Sequence, residues 1–282
     1  MRIARAALAA LLVIALTPSL SLAAQTRSTG PASTSASSAS SASGVGFDIS
    51  WPQCDLPYPL DPAFAIVGVN RGIVFSANPC LASELAWAGG PNAALYANTG
   101  NPGPELSRHW PVGQALPQVC DAANPDSTGC AFDYGYNAAA DSFTVAAAAF
   151  NANGSIDSPA SSTWWLDVET SNSWRSDVAL NVAALQGATQ YLGSVGVTRI
   201  GFYSTPYQWD AITGSTGAFA ANASWVAGAP DLLGALADCA GTGFTGGRVA
   251  LVQYPEGPFD GNVSCGDAAA GSAGAAVGPA QD

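Results

Sequence analysis

The 282-residue chain contains no lysine, and this absence excludes several kinds of chemistry. A Schiff base and the phosphate-binding residue of a P-loop both require lysine. The eight basic residues are all arginines, against 20 acidic residues. No basic patch is therefore available to replace the counterions of a nucleic acid or to hold an anionic lipid surface. The sequence predicts no nucleic-acid partner.

Histidine and closely spaced cysteines are also scarce. His109 is the one histidine, and the chain has no GxSxG motif. A catalytic triad built on serine and histidine is therefore disfavoured. It stands in Arg-His-Trp-Pro, a pattern typical of a surface or packing residue. No CxxC pair occurs, which weighs against zinc and redox sites. We therefore expect no metal site and no cofactor.

Long apolar runs are missing after the first 24 residues. Residues 1–24 carry two arginines, an apolar run and Ser-Leu-Ala-Ala, the pattern of a secretory signal peptide. This run is too short and too broken by Pro18 to predict a membrane anchor. We expect a secreted, extracellular protein that has no membrane span in its mature form. Loss of two arginines with the signal makes its net charge about −14 instead of −12.

The remaining chain divides by composition. Residues 25–44 are almost entirely Ser, Ala, Thr and Gly, which predicts a disordered linker. Residues 268–282 are rich in Ala and Gly, which predicts a flexible tail. Residues 45–267 have the length of one domain, which we expect to be monomeric.

Six cysteines in an exported chain predict disulfides. Six cysteines allow 15 connectivities, and we favour pairing between sequence neighbours. The middle bridge would hold a polar loop that contains Pro125 and Gly129. The favoured pairs are Cys54–Cys80, Cys120–Cys130 and Cys239–Cys265.

Short β-like runs alternate with longer helical runs, which predicts parallel βα units. The architecture we favour is an α/β fold, a small (β/α) TIM-like barrel. The alternative is a doubly wound open sheet, which the lack of GxGxxG after the first strand disfavours. The strand candidates are 46–50, 64–70, 93–98, 163–169, 199–205, 224–228 and 249–254. The helix candidates are 81–88, 137–151, 177–195 and 206–212.

The segment Trp164-Trp165-Leu166-Asp167-Val168-Glu169 is the most informative in the chain. On a strand, Asp167 and Glu169 point to one side, and the alternate residues point to a helix-covered side. Two adjacent carboxylates raise at least one pKa, and paired carboxylates are the working groups of glycoside hydrolases. A calcium site or a solvated loop start is the alternative interpretation.

Other predicted strands also end in polar residues, namely Asp48, Asn70, Asn98 and Gln253. In a parallel barrel the carboxyl ends of all strands meet at one face, where barrel enzymes place their sites. The repetition of polar ends predicts one site at this face.

Five motifs, in order, resemble the family 25 glycoside hydrolases, which are lysozymes that cut between N-acetylmuramic acid and N-acetylglucosamine. Residues 46–53 read Gly-Phe-Asp-Ile-Ser-Trp-Pro-Gln, and 167–169 are similar to the family's Asp-x-Glu. Residues 201–205, 252–254 and 260–262 look like its Tyr-Ser/Thr strand, its Gln-Tyr strand and its Asp-x-Asn. The resemblance spans residues 46–267.

The resemblance implies a partly helix-covered eight-stranded barrel with an acidic groove and a peptidoglycan or related N-acetylhexosamine substrate. It implies that Glu169 is the general acid. Asp167 would orient the 2-acetamido group or stabilise the oxocarbenium-like charge, and Asp48 and Asp260 would tune the site. The candidate substrate-binding residues are Tyr203, Gln253, Asn70, Asn98 and Trp174, the last as an aromatic platform near Glu169.

The sequence also departs from the family pattern. Residues 101–162 form a long insertion of unknown role, and six cysteines are unusual for the family. Two hypotheses therefore stand. The favoured one is a secreted, lysozyme-like glycosidase that acts by carboxylate acid catalysis. The alternative is a non-catalytic carbohydrate- or cell-envelope-binding module on the same barrel.

Overall fold

The computed structural model describes residues 44–266. The signal peptide expected over 1–24, nearly all of the linker 25–44 and the tail 268–282 lie outside this range. The strands are β1 (Val45–Ile49), β2 (Ala65–Gly68), β3 (Ala94–Asn98), β4 (Trp164–Asp167), β5 (Ile200–Ser204), β6 (Ala223–Val226), β7 (Val249–Glu256) and β8 (Phe259–Ser264). The helices are α1 (Leu81–Trp87), α2 (Thr128–Ala152), α3 (Val178–Ser194), α4 (Pro206–Thr213) and α5 (Leu232–Asp238).

The eight strands form a closed barrel in chain order, so the predicted TIM-like barrel is confirmed and the open sheet is excluded. Strands β1 to β7 pair in parallel with their neighbours, whereas β8 runs antiparallel to both β7 and β1. The predicted strands did not include β8, and its antiparallel direction departs from the parallel βα pattern of the others. Glu256 pairs with Phe259 across a two-residue turn, in which Gly257 has a φ of +65°. This hairpin leaves no length for a crossover helix.

The two faces of β4 pack as the alternating pattern predicts. Trp164, Leu166 and Val168 lie in the main core between the barrel and its helices. Trp165 points into the barrel, where it packs with Trp225. Aromatic side chains therefore fill the barrel axis.

The helices differ from the sequence expectation at two places. α2 begins at Thr128, nine residues before the expected start, because Ser127 caps it by accepting a hydrogen bond from the Cys130 N–H. α5 was not among the predicted helices, and its three leucines, Leu232, Leu233 and Leu236, are exposed. Within residues 44–266 no helix has the length and apolarity to cross a membrane.

The three predicted disulfides are all present, with Cα separations of 5.7 Å, 4.3 Å and 5.2 Å in chain order. Cys120–Cys130 joins the loop of the 101–162 insertion to the first turn of α2. Trp110 from the same loop packs on Tyr134 of α2 and with Leu180 of α3. The insertion therefore has a small apolar core of its own.

Two glycines allow α2 and α3 to pack closely. A Cβ added at Gly135 would lie 1.8 Å from the Ala184 carbonyl oxygen, and one at Gly187 would lie 1.9 Å from the Phe132 carbonyl oxygen. Real atoms cannot approach so closely, so these positions exclude every other residue while the helices keep their spacing.

We predict that Gly135→Ala lowers the free energy of unfolding by about 1–3 kcal/mol, because the methyl group must push the helices apart. The matched control is Gly193→Ala in α3, where an added Cβ meets nothing within 4 Å. That variant should be more stable by about 0.5–1 kcal/mol, because alanine loses less backbone entropy than glycine in a helix. Denaturant unfolding with the disulfides intact measures both values. Equal effects at the two positions would refute the close contact.

Candidate active site

Four carboxylates lie around one end of the barrel. Asp48 lies near the end of β1, Asp167 ends β4, and Glu169 follows two residues later. Asp260 lies at the start of β8, which is at the same end because β8 runs antiparallel. Asp48 and Asp260 are register partners, so their Cα atoms are about 5 Å apart.

Asp48 is buried and is held by a chain of hydrogen bonds. Its Oδ2 accepts from Asn262 Nδ2 at 2.6 Å and from Gln253 Nε2 at 3.0 Å. Tyr203 donates its hydroxyl to Gln253 Oε1 at 2.8 Å, and Trp225 Nε1 donates to Asn262 Oδ1 at 2.7 Å. Each amide therefore has its oxygen occupied and must present its N–H to the carboxylate.

The pKa of Asp48 rises from its ordinary 3.8 to about 7. Burial is the largest cause, and the negative charge of Asp260 adds to it. The hydrogen bonds from Asn262 and Gln253 favour the ionised form and partly offset the rise. Near neutral pH this group therefore exists in both protonation states.

Asp167 is 3% exposed. Its Oδ2 accepts a hydrogen bond from Asn98 Nδ2, and its Oδ1 has no donor among the residues that the structure describes. Burial, followed by the charge of Glu169, raises the pKa of Asp167 well above its usual range. One oxygen of this carboxyl group is thus fixed, and the other is buried without a donor.

Glu169 is half-buried and accessible from the barrel end. Burial raises its pKa, the charge of Asp260 adds to the rise, and the neighbouring Gln208 amide opposes it. The pKa values of Asp167 and Glu169 are therefore both raised, and Asp167 is the more deeply buried of the two. The two carboxyl groups titrate as one coupled unit, which retains a proton to higher pH than either would alone.

Asn70 and Asn98 occupy different positions in the site. Asn70 is 1% exposed, and its amide donates to the Ser76 carbonyl and the Ser142 hydroxyl while accepting from the Asn98 N–H. Asn70 therefore fixes the backbone of Asn98, and its own amide oxygen and N–H groups are all used within the protein. Asn98 is half-buried and orients Asp167.

Trp174 and Trp51 also take different roles. The Trp174 indole N–H donates to the Glu169 carbonyl oxygen at 2.8 Å, and its ring packs against the main core. It therefore holds the segment that carries Glu169. Trp51, two residues after β1, is 37% exposed and stacks with the Arg71 guanidinium at 5.3 Å. Of these two rings, Trp51 offers more open surface to a sugar ring.

Three residues of this arrangement were not among the candidates: Asn262, Trp225 and Gln208. Asn262 shares a face of β8 with Asp260 by period-two alternation, so the Asp-x-Asn motif carried the signal. Trp225 gave no signal, because an aromatic residue on a strand is typical of ordinary core packing.

One cluster among the described residues has the spacing of metal ligands, and it lies apart from these acids. It consists of Cys54, Cys80 and Glu84. The disulfide between the two cysteines removes the thiolates that would bind the ion. The four acids of the barrel end do not form such a group.

Comparisons with known proteins found one partial family match and several similar structures. The family model described as Lysozyme-like protein 1 matches residues 136–227, about a third of the chain. No curated protein matches the sequence. A muramidase from Trichobolus zukalii is 17% identical and covers 79% of this chain and 94% of its own, with a TM-score of 0.48.

Two bacterial structures are also similar. The bacterial lysozyme from Streptomyces coelicolor is 19% identical over 81% of this chain and 95% of its own, with a TM-score of 0.46. The modular autolysin LytC from Streptococcus pneumoniae, in complex with a synthetic peptidoglycan ligand, is 14% identical over 78% of this chain and 46% of its own, with a TM-score of 0.50. The chain resembles the family 25 glycoside hydrolases, and its barrel is of the lysozyme type.

Proposed function

We propose that this protein is a secreted, lysozyme-like glycoside hydrolase that cleaves peptidoglycan or a related N-acetylhexosamine glycan. The observation that carries the proposal is the coupled pair Asp167–Glu169, which shares the barrel end with Asp48 and Asp260. A glycosidase needs one protonated carboxyl group beside an ionised one. Burial and mutual repulsion meet this requirement, because they prevent the cluster from ionising fully at neutral pH.

Glu169 is the general acid in this proposal. It is the accessible member of the pair, and its proton goes to the glycosidic oxygen as the bond to the leaving sugar breaks. The hydrogen bond from Trp174 to its carbonyl oxygen fixes the backbone, so the carboxyl group keeps its position while the substrate binds.

Asp167 binds and stabilises the sugar that becomes positively charged. Asn98 occupies Oδ2, and in this proposal the 2-acetamido N–H of the sugar is donated to the same carboxyl group. Once Asp167 is ionised, its charge also stabilises an oxocarbenium-like transition state.

Further support comes from the surroundings of the pair. Trp51 and Tyr207 are exposed aromatic residues in segments that follow β1 and β5 at the same barrel end, and such rings stack on sugars. The family model is described as lysozyme-like, and the LytC structure contains a peptidoglycan ligand. Three disulfides agree with a secreted protein.

The central experiment is to incubate the mature protein with purified peptidoglycans of several chemotypes and to measure new reducing ends. Glu169→Gln should lower the rate by about 100-fold or more, because it removes the proton donor. Glu105→Gln is the matched control, since Glu105 is exposed in the insertion loop, and its rate should be unchanged. Binding to every chemotype without cleavage of any would favour the alternative, a carbohydrate-binding module.

The pH profile tests the pair directly. We predict that Asp167→Asn lowers the rate and moves the alkaline limb of activity to lower pH. In this proposal Asp167 is ionised in the active form, so the variant removes a negative charge that opposes ionisation of Glu169, and Glu169 loses its proton at lower pH. A limb that stays at the wild-type pH would show that the two groups are not coupled, and the acid-pair mechanism would then be abandoned.

Asp260 offers a second test at a residue outside the pair. Its charge raises the pKa of both Asp48 and Glu169, so Asp260→Asn should lower both and move the alkaline limb to lower pH. The control is Asp238→Asn, which removes the same charge from an exposed position on α5. Rates measured from pH 4 to 9 at constant ionic strength distinguish the two variants. Equal shifts of the alkaline limb in both would indicate an effect of net charge only.

A further inference from the structure

A second concave site lies at the opposite end of the barrel, where the strands begin. It is a cavity of about 510 Å³, within the size range of small-molecule sites. Its wall includes residues at the starts of β5, β6 and β7, and none of its lining residues is acidic. The residues that define it here are Phe64, Trp165, Arg199, Asn222, Arg248 and Leu251.

The cavity exists because small residues occupy this end of the barrel. Large side chains normally fill the interior layers of a closed barrel. Here Ala94, Gly201, Ala223 and Ala250 line the opening. A Cβ added at Gly201 would lie 2.2 Å from the ring of Trp165. The ring therefore occupies the space that a side chain at position 201 would need, and it forms the floor of the cavity.

The charged residues that line this cavity are both arginines, although the protein as a whole is acidic. Arg199 and Arg248 are exposed and precede β5 and β7 directly, so their backbones flank β6 about 10 Å apart. Arg199 is held by neutral acceptors, the Thr163 hydroxyl at 2.9 Å and the Ser161 carbonyl at 2.6 Å. The one ion pair among residues 44–266 joins Arg175 to Asp126, so neither of these arginines has an acidic partner there.

The inner wall is apolar and aromatic. Phe64, Trp165 and Leu251 pack together in the cluster that fills the barrel axis. Trp165 is 4% exposed, and its indole N–H has no acceptor in the described part of the chain.

We propose that this cavity binds a small amphipathic anion, whose carboxylate or phosphate head lies between Arg199 and Arg248 and whose apolar body lies against Phe64 and Trp165. Two unpaired cations on the rim of a cavity without carboxylates select an anionic head even in a strongly acidic protein. The aromatic floor selects an apolar body. The proposal is independent of the glycosidase activity, because the four acids lie at the other end of the barrel.

Isothermal titration calorimetry with three probes tests the proposal: octanoate, octyl phosphate and uncharged octanol. Octanoate or octyl phosphate should bind to the wild-type protein, and octanol should bind at least about tenfold more weakly. The tighter of the two anions identifies the head group. The double variant R199Q/R248Q should bind that anion about 100-fold more weakly, since each arginine contributes a charge-assisted hydrogen bond.

The control variant R71Q/R108Q removes the same charge from two exposed arginines in loops after β2 and β3, and it should bind like the wild type. A second variant, A223L, narrows the opening and should lower the affinity without changing the net charge. Thermal melting checks that all three variants fold. Binding of octanol as tight as that of the anions, or equal losses in the two double variants, would overturn the proposal.

Discussion

The pairing of β8 with β1 is the interaction on which both the barrel and its acid cluster depend. It closes the sheet, and it does so with an antiparallel strand whose first residues reach the end where the parallel strands finish. Asp260 is thereby placed opposite Asp48, and Asn262 donates to the Asp48 carboxylate. Without this ladder the barrel would have two open edges, and Asp48 would lose its nearest charge and its shortest hydrogen bond.

The acid cluster shows how a barrel interior controls protonation. Aromatic residues below the acids exclude water, so burial is the leading cause of the raised pKa at Asp48, Asp167, Glu169 and Asp260. Amide donors oppose the rise at Asp48 and Asp167 and set the direction of each carboxyl group. The orientation and the protonation of the carboxyl groups therefore have separate causes. Hydrogen bonds orient the groups, and burial above the apolar barrel interior raises their pKa values.

Much of this architecture could be predicted from local patterns. Period-two alternation placed Trp164, Leu166 and Val168 on the helix-covered face, and the alternation of strands with helices predicted the barrel. The three disulfides joined sequence neighbours, as expected for loops that need support. These features are visible in sequence because each depends on residues close together in the chain.

Features that depend on distant residues could not be predicted in the same way. The bond from Trp225 to Asn262 and the packing of Gly135 against Ala184 arise only when the barrel closes and α2 meets α3. Asn70 looked like a strand-end ligand, but its amide is used within the protein, because Ser142 on α2 comes within reach in the fold. Polar residues at strand ends are thus of two kinds. Some face the open end of the barrel, and others, such as Asn70, hold those residues in place through hydrogen bonds.

The antiparallel closure also decides where the chain leaves the barrel. Val45 at the start of β1 pairs with Val263 near the end of β8, so the two ends of the folded unit emerge side by side, at the end of the barrel away from the four acids. Neighbouring termini are the geometry that tolerates circular permutation. The folded unit is therefore joined to the rest of the chain at the end of the barrel opposite to the four acids.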